Sequence, residues 1–585
     1  MATEARKCQN CKQDFTIKEE DFAFYTDMKV PPPTFCPECR MIRRFMFRNE
    51  HFLFRRKEAL EGKEIFSGFP PKSPYKIYEY SYWWSDKWEA TDYARDYDFS
   101  RPFFAQFHDL LKDVPLCARA LIDAVDSEYC EQAAYAKSSY LCFDVNDIEN
   151  SAYLISTGHT KDSYNTLSTF YSELCYETTR VRKGYKVFYS DKCDDCNDVW
   201  LSKNCSGCTN CFGCVNLRNK SYYIYNQPYT KEEYEKKLES LGLNSHSALH
   251  NESGKAYDFW NHFPVRYLSG QGNVKSDGDY LDNTKGVGES FLVSDTENSK
   301  FLQLVDYKCA NSYDYTLWGS AASRIYETLS CGLQVDSIKF CFDCWPSSTN
   351  LEYCVYCRSS SDLFGCVGLR NKQYCIFNKQ YTKDEYFALR AKIIEHMSQM
   401  PYIDSYKNSY AYGEFFPPEF SPFAYNETLA QDFFPLSKEE ALAKGHPWQD
   451  PDLREYAITL KSSDLPDKIE DVPDSIISEV IQCEDCSRAY RIIEPELKFL
   501  RTAKIPLPRK CIACRLKRRF SLLNQPRFYK RSCGCAGESS ARGEYKNIAS
   551  HSHGSDKCSA EFETSYAPDR PELVYCEACY NTELA

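Results

Sequence analysis

The sequence contains no apolar run long enough to cross a membrane and no apolar leader. No stretch approaches the roughly 18 consecutive apolar residues of a membrane-spanning helix. The first ten residues, MATEARKCQN, lack the apolar core of a secretion signal. These absences predict a soluble protein that is not exported and works in the cytoplasm, without a membrane partner.

The sequence also lacks the common catalytic motifs. It has no phosphate-binding glycine loop, no HExxH, no GxSxG and no dinucleotide fingerprint placed after a strand. Only 10 histidines occur, and His108, His159 and His262 have no partner that the sequence identifies. Carboxylates are plentiful, but only geometry can identify a catalytic pair among them. The sequence therefore does not indicate an enzyme, and a carbohydrate-active enzyme stays as an alternative.

The sequence has fewer basic than acidic residues, and it is rich in cysteine. The net charge of −12 argues against extensive coating of a nucleic acid, although it allows local basic patches. In a reducing compartment, 31 cysteines are not expected to form a disulfide framework. Cysteine pairs spaced as CxxC are typical of metal sites there, while an isolated cysteine is usually a small buried side chain.

Two segments near the ends of the chain are copies of one another. Cys8 matches Cys483, and every later match keeps the same offset. Both copies have two CxxC pairs at the same separation, and both continue into a basic run, CRMIRRF from Cys39 and CRLKRRF from Cys514. Each CxxC presents two thiolates to one ion, and two such pairs complete a tetrahedral sulfur shell. We therefore predict two structural zinc sites, with iron as the rival metal. Their ligands are Cys8, Cys11, Cys36 and Cys39, and Cys483, Cys486, Cys511 and Cys514.

The N-terminal copy resembles a small probable zinc-ribbon family. The shared features are CQNC, the aromatic Phe15, the acidic and aromatic stretch EEDFAFY, Pro33 and CPECR followed by basic residues. The C-terminal copy has CIACR in place of CPECR but keeps every ligand. The order of elements along the chain resembles a larger uncharacterised zinc-ribbon family of small-genome bacteria. That resemblance implies no activity.

A third group of metal-ligating residues follows the second copy. It contains CGCAG, then HSHGSDKC, then YCEAC, which supply seven candidate ligands for four positions. We predict that Cys533, Cys535, Cys576 and Cys579 form the site. The alternative ligands His551, His553 and Cys558 stay open, as does a role as exposed loop residues. The chain is thus expected to bind two to three Zn²⁺ ions.

The middle of the chain holds a second duplication. FGCVNLRNKSYYIYNQPYTKEEY, from Phe212, recurs from Phe364 as FGCVGLRNKQYCIFNKQYTKDEY. Serines recur at a constant spacing from Ser127 to Ser163, each followed closely by tyrosine. This pattern predicts two tandem β-solenoid blocks resembling a parallel β-helix, with two short strands per coil and about 24 residues per rung.

Each block ends in an expected capping helix. Thr230 and Thr382 are the predicted N-cap residues, and a helix from Ser100 is expected to cover the opposite end of the first block. The aromatic and acidic stretch from Tyr82 is expected to pack against the first block. The dense cysteines between Cys193 and Cys214, and between Cys341 and Cys357, either bind metal or fill the interior. We favour the interior, because the second copy replaces Cys211 with Leu363.

The basic runs beside the two CxxC copies have two possible roles. Positive charge interleaved with aromatic residues suits contact with phosphates and bases, whereas arginines beside thiolates also offset the charge of a metal site. The run with the higher charge, between Arg509 and Arg531, contains nine basic residues and no acidic one. The candidate contacts are Arg515, Lys517, Arg518, Arg519, Arg527, Lys530, Arg531, Arg40, Arg43 and Arg44.

The sequence thus predicts a mainly β protein in which duplicated zinc ribbons flank two solenoid blocks. The leading hypothesis is a non-catalytic, zinc-stabilised binding or scaffold protein whose partner is an unknown protein or nucleic acid. The main alternative is an RNA- or DNA-binding protein, for example on ribosomes, that acts through the ribbons. The expected segments are 1–60, ribbon; 61–123, aromatic linker and helix; 124–245, first block; 246–400, second block; 401–478, irregular segment; 479–532, second ribbon; and 533–585, C-terminal zinc-binding segment.

Overall fold

The computed structural model describes residues 3–317, 319, 322–332, 335, 337–345, 347–450 and 456–584. These residues form two compact units. Unit 1 comprises the described parts of residues 1–119 and 268–449, and unit 2 those of residues 120–267 and 450–585. Each unit therefore combines one terminal cysteine segment with the middle block that is more distant in sequence. The seven segments expected from the sequence stay a prediction, and residues 451–455 of the expected irregular segment lie outside the described residues.

Twelve α-helices occur in the described residues. They are α1 (Glu19–Asp27), α2 (Pro37–Phe45), α3 (Tyr80–Trp83), α4 (Phe103–Asp113), α5 (Lys231–Ser240), α6 (His246–Asn261), α7 (Lys383–Gln399), α8 (Leu429–Phe433), α9 (Lys438–Ala443), α10 (Glu494–Ala503), α11 (Ile512–Ser521) and α12 (Glu577–Leu584). Within the described parts of the chain, none of these helices combines the length and the apolar character that a membrane span needs.

The described strands are short, and most of them pair in parallel. Those of unit 1 are Glu4–Lys7, Asp14–Ile17, Phe54–Lys57, Glu64–Ser67, Ile77–Tyr78, Leu116–Cys117, Gly270–Gln271, Gly278–Asp282, Ser290–Ser294, Thr296–Glu297, Gln303–Val305, Cys309–Ala310, Thr349–Glu352, Ser361–Phe364, Gln373–Ile376, Lys379–Gln380, Tyr402–Ile403 and Ser409–Tyr410. Those of unit 2 are Leu121–Ile122, Glu131–Lys137, Phe143–Glu149, Ala152–Lys161, Tyr164–Phe170, Tyr176–Arg182, Tyr185–Phe188, Asp191–Asp194, Asn197–Trp200, Lys203–Ser206, Thr209–Phe212, Ser221–Ile224, Gln227–Pro228, Pro264–Arg266, Leu460–Lys461, Ile481–Gln482, Ala489–Tyr490, Tyr529–Ser532, Cys535–Ala536, Ser539–Ser540, Glu561–Thr564 and Leu573–Tyr575.

Unit 2 is built around a 13-stranded sheet over residues 121–228, called here the first ladder. Its strands pair in parallel at a constant offset, as in Tyr164 with Tyr176 and Val187 with Val199, except for the last pair, Ser221–Ile224 with Gln227–Pro228, which is antiparallel. This offset equals the spacing of the repeated serines, such as Ser151 and Ser163. The predicted sheet-rich fold is confirmed. The predicted length of about 24 residues per rung is wrong, because it is twice the number of residues between paired positions on neighbouring strands.

The backbone of the first ladder turns at every third residue. Between Gln132 and Tyr225, each third residue has a φ between +46° and +64°. The residue after each turn is buried at every step from Ala133 to Cys214, and all of these side chains are Cys, Ser, Thr, Ala, Val, Ile, Leu or Gly. Interior positions three residues apart thus accept only small or branched side chains, which accounts for the many cysteines and serines.

Buried serines tie neighbouring strands of the first ladder together. The hydroxyl of Ser151 donates to the Glu149 carbonyl at 2.8 Å and accepts the N–H of Ser163 at 3.1 Å. The same arrangement links Ser127 to Ser139, and Ser163 to Cys175. Each hydroxyl therefore satisfies a backbone N–H that lies one repeat further along the chain, as a buried N–H requires.

Unit 1 contains a related second ladder over the described parts of residues 270–380. Near its C-terminal end the parallel pairs keep the offset of the first ladder, as in Thr349 with Ser361. In the middle the offset is one residue longer, as in Thr316 with Leu329. The buried core contains cysteines and aromatic residues, and helices α1, α4 and α7 add side chains to it. The looser spacing of the serines in this half of the sequence reflects the longer steps.

The predicted N-cap residues are confirmed, but the helix that was predicted to cover the first block lies elsewhere. The hydroxyls of Thr230 and Thr382 accept N–H groups in the first turns of α5 and α7, and each helix has a complete capping box. Helix α4 was expected to cover the first block. It belongs instead to unit 1, where Phe103 contacts Phe364 of the second ladder at a ring separation of 5.3 Å.

The aromatic stretch from Tyr82 also belongs to unit 1 rather than packing on the first block. The Arg370 guanidinium lies over the rings of Trp83 and Trp88, 5.5 Å from each centroid. These positions correct two expectations that had assigned the segment before the first block to that block. Sequence proximity was the wrong guide, because the contacts form with the second copy of the repeat.

Candidate metal centres

Four cysteines converge in the N-terminal module, defined here as residues 4–50. The hairpin Glu4–Lys7 and Asp14–Ile17 holds Cys8 and Cys11 in its turn, while Cys36 is the N-cap residue of α2 and Cys39 lies in its first turn. The ligand sulfurs all lie within 4.8 Å of one another. The N-terminus of α2 favours negative charge, whereas neighbouring thiols and burial raise the pKa of both Cys36 and Cys39.

The sulfur separations match a tetrahedral metal site. Two sulfurs bound about 2.3 Å from one zinc ion at a tetrahedral angle are about 3.8 Å apart. The Sγ atoms of Cys11 and Cys36 are 3.7 Å apart, and those of Cys486 and Cys511 are 3.6 Å apart. These distances exceed the roughly 2.05 Å of a disulfide, and the cysteines are free. The residues therefore fit a four-thiolate ion.

The C-terminal module, residues 479–525, repeats this geometry. Cys483 and Cys486 lie in the turn of the hairpin Ile481–Gln482 and Ala489–Tyr490, and Cys511 is the N-cap residue of α11. The Cys511 N–H donates to the Cys483 sulfur at 3.2 Å. Burial acts against ionisation of Cys483, but the N–H groups of Cys511, Cys486 and Asp485 lower its pKa to about 7. The module thus favours a thiolate at this ligand position.

The third group has a different composition from the one predicted. Cys533, Cys576 and Cys579 meet as expected, but the fourth sulfur is Cys558. Cys535 lies in a second group with His551, His553 and Cys579. Cys533 and Cys535, which the CxC spacing had suggested as a pair for one ion, thus lie in different candidate groups. The C-terminal segment also lies in unit 2.

The cysteines of the two ladders occupy interior positions. Cys193, Cys205 and Cys341 are at most 1% exposed, and their thiols donate to carbonyl oxygens two residues earlier. The neighbouring thiols of Cys196 and Cys205, together with burial, raise the pKa of Cys193 well above its usual value. None of the ladder cysteines belongs to a convergent group of three or more ligands among the described residues. The geometry favours neutral thiols that fill the interior.

Replacing a ladder cysteine is expected to leave the metal content unchanged. Cys208→Ala removes one buried sulfur from the first ladder and should lower the free energy of unfolding by about 1 kcal/mol. Elemental analysis of the purified chain should give the wild-type number of ions. Cys486→Ala, in an accessible ligand position, is the matched control and should remove one ion. A loss of metal from Cys208→Ala would contradict the interior role.

The arginines that follow each second CxxC lie on one helix face. In α2, Arg40, Arg43 and Arg44 are spaced i, i+3, i+4, so their side chains project from the same side. All three are buried to 2% exposure or less. This helix thus contributes two metal ligands at its N-terminus and three guanidiniums along its length.

In unit 1 these guanidiniums pair with carboxyl groups around the second ladder. Arg43 Nη2 lies 2.7 and 2.8 Å from the two oxygens of Glu327 and 3.2 Å from Glu414. Arg40 and Arg44 both pair with Asp314, at 2.9 and 3.1 Å. Three buried guanidiniums therefore meet three buried carboxyl groups, which is the balance that a buried charge cluster requires.

Unit 2 contains the equivalent cluster. Glu177 of the first ladder accepts from Arg518 Nη2 at 2.7 Å and from Arg519 Nη1 at 2.8 Å. Arg515 Nη1 donates to Glu496 of α10 at 2.7 Å. Burial raises the pKa of the Glu177 carboxyl, but Arg519, Arg518 and Arg515 more than offset that effect, so the pKa lies below its usual value. The carboxylate is charged and paired.

The sequence contains a signal for these clusters that was missed. Glu177 lies in Tyr176-Glu177-Thr178, and Glu327 lies in the identical triplet Tyr326-Glu327-Thr328. The two triplets are separated by nearly the same number of residues as the two copies that begin at Phe212 and Phe364. Each glutamate receives the last two arginines of a CxxCRxxRR motif. A duplicated acid in the repeats and a duplicated basic run thus identify the same interface.

This arrangement argues against most of the predicted nucleic-acid contacts. Guanidiniums that are buried and paired with carboxylates are not accessible to phosphates. This applies to the predicted contacts Arg40, Arg43, Arg44, Arg515 and Arg519, while Arg518 is partly exposed but paired with Glu177. Lys517 and Lys530 are exposed, and Arg527 is partly exposed. Arg531 donates to the carbonyls of Tyr566 and Ala567. The positive surface is therefore much smaller than the sequence indicated.

Comparisons with known proteins assign no family to this chain. No family model matches it, and no curated protein sequence is significantly similar to it.

Proposed function

We propose that the protein is a non-catalytic scaffold in which zinc ions hold two terminal modules on two β-solenoid blocks. The observation that carries this proposal is the dual role of α2 and α11. Each helix supplies two candidate ligands at its N-terminus and the arginines that pair with a ladder glutamate. Nitrogen and sulfur ligands in tetrahedral sets with no open position are typical of structural zinc.

The solenoid architecture is supported by the register. Strands pair in parallel at the same offset along the first ladder, and the backbone turns every third residue. A chain that pairs with itself at a constant short offset forms successive coils, each stacked on the one before. Such coils expose an extended surface for partners, as repeat proteins do.

Metal binding and docking are thermodynamically coupled under this proposal. An ion that orders α2 also orders the three arginines. The free energy by which the ion strengthens the arginine pairs therefore equals the free energy by which those pairs strengthen ion binding, and breaking the pairs should weaken ion binding by that amount. The N-terminal module meets Glu327 and the C-terminal module meets Glu177. Each glutamate should therefore influence one ion and leave the other unchanged.

The proposal is tested by measuring zinc affinity in Glu327→Gln through competition with a chromophoric chelator. A loss of about 3 kcal/mol of docking energy should weaken one site by about 100-fold. Glu177→Gln should weaken a different site by a similar factor. Glu64→Gln is the control, because Glu64 pairs with Arg55 at 3.8 Å on the exposed surface. Unchanged affinities in both buried variants would refute the coupling.

A further inference from the structure

Two groups of candidate ligands at the C-terminus share one residue. The first group is Cys533, Cys558, Cys576 and Cys579, and the second is Cys535, His551, His553 and Cys579. In each group the ligand atoms lie within 4.8 Å of one another. Two independent tetrahedral ions need eight ligand residues, whereas these groups contain seven. Seven residues can fill eight ligand positions only if the Cys579 sulfur binds both ions.

The first group has the dimensions of a four-thiolate site. The sulfurs of Cys558 and Cys576 are 4.0 Å apart, close to the roughly 3.8 Å edge of a tetrahedron around zinc. The Cys576 N–H donates to the Cys533 sulfur at 3.3 Å. Cys579 lies in the first turn of α12.

The second group contains two histidines whose orientation suits metal binding. His551 Nε2 lies 2.9 Å from Glu583 Oε1, which leaves Nδ1 for an ion. His553 Nδ1 lies 2.8 Å from the Asp556 carbonyl, which leaves Nε2, and this atom is 3.4 Å from the Cys579 sulfur. Ligand histidines usually donate their other ring N–H to a carboxylate or carbonyl in this way.

Further contacts fix the remaining members of the second group. Asn547 Nδ2 donates to the Cys535 sulfur at 3.2 Å. Glu583 also accepts the N–H groups of Ile548 and Ala549 at 2.9 and 3.2 Å, so the buried carboxylate holds the segment that leads to His551. Helix α12 places Cys579 and Glu583 one turn apart on one face. One helix thus supplies both the shared ligand and the partner of His551.

We propose that the C-terminal segment binds a two-ion cluster in which the Cys579 thiolate bridges two divalent ions. One ion takes four sulfurs, and the other takes two sulfurs and two imidazoles, both of which are sets that zinc accepts. A thiolate sulfur has lone pairs for two metal ions, whereas an imidazole nitrogen has one. This inference rests on the proposed metal-binding role of the cysteine groups and extends it from three ions to four per chain.

The test is a count of ions in the full-length chain and its variants by native mass spectrometry. Wild type should retain four zinc ions, and Cys579→Ser should lose two. Cys558→Ser and His553→Ala should each lose one, because each belongs to a single shell. Three ions in the wild type, or the loss of only one from Cys579→Ser, would overturn the bridge.

A second measurement on the wild-type chain does not depend on the folding of any variant. After exchange of zinc for ¹¹³Cd, two cadmium resonances should show scalar coupling to each other through the shared sulfur. Four uncoupled resonances, or only three resonances, would overturn the proposal. Cys36→Ser and Cys511→Ser separate this failure from that of the proposed function. If neither variant loses an ion, the module sites themselves are refuted.

Discussion

The variant Cys36→Ser is expected to lose one ion and the folded structure of the N-terminal module. The module is short, and its aromatic residues Phe22 and Tyr25 are buried by contacts that depend on the position of α1. Structural zinc contributes about 10 kcal/mol or more to the folding of small domains. Losing one of four ligands should therefore cost more than any change in the ladders.

This loss should be visible as faster hydrogen exchange in α1 and α2 together with a lower ion count. The strands of the second ladder at Thr349–Glu352 and Ser361–Phe364 pair with each other and should stay protected longer. Cys354→Ser is the matched control in the same unit, because Cys354 is a fully buried ladder thiol. It should keep every ion. Protection of α2 in Cys36→Ser at the wild-type level would contradict a structural role for the ion.

The ligand positions of the two modules could be predicted because their chemistry is local. A CxxC pair closes a turn around an ion whatever surrounds it, so the duplicated spacing was sufficient to identify Cys8 to Cys39 and Cys483 to Cys514 as groups. The N-caps of α5 and α7 were equally local, since Thr230 and Glu233 form a capping box within one turn.

The repeated turns of the first ladder could not be predicted from residue preferences. Left-handed backbone costs a residue with a Cβ atom roughly 1 kcal/mol and normally selects Gly, Asn or Asp. Here Tyr135, Leu141 and Lys183 adopt it. The paired strands on either side determine these conformations, and that information is not present in any short stretch of sequence.

The composition of the third metal group depended on tertiary structure for the same reason. Cys558 has no second cysteine close to it in the sequence, so the sequence identified it only as one of three alternative ligands. The Cys558 N–H donates to the Cys535 carbonyl at 3.0 Å, and this contact brings the loop beside Cys576. The pairing of each module with its ladder is likewise a contact between segments that are far apart in the sequence.

Glu327→Gln is expected to lower the free energy of unfolding of unit 1 by about 3 to 5 kcal/mol. The substitution keeps the size of the side chain but removes the carboxylate beside Arg40, Arg43 and Arg44. Because all three guanidiniums are buried, water cannot compensate for the missing charge. Denaturant unfolding followed by the fluorescence of Trp83, which is buried in unit 1, would measure the change.

The pH of this measurement matters because burial raises the pKa of the Glu327 carboxyl to about 7, although Arg43 and Arg44 act in the opposite direction. This pKa lies above that of a glutamate in the unfolded chain, so the wild type loses stability as the pH rises towards and through about 7, whereas the glutamine variant has no such titration. The excess stability of the wild type over the variant should therefore be larger below that pH than above it. A difference that does not change with pH would show that the Glu327 carboxyl does not titrate in this range in the folded protein.

A double-mutant cycle with Arg43→Gln distinguishes a specific ion pair from a general loss of packing. Each single variant leaves a buried charge without its partner, whereas the double variant removes both charges. The double variant should therefore be less destabilised than the sum of the two single variants, by about 1 to 3 kcal/mol. Glu64→Gln should change stability by less than about 0.5 kcal/mol, since its pair with Arg55 is exposed. Additive effects in the cycle would show that Arg43 and Glu327 act independently, and the arginine face of α2 would then be a packing surface rather than an electrostatic anchor.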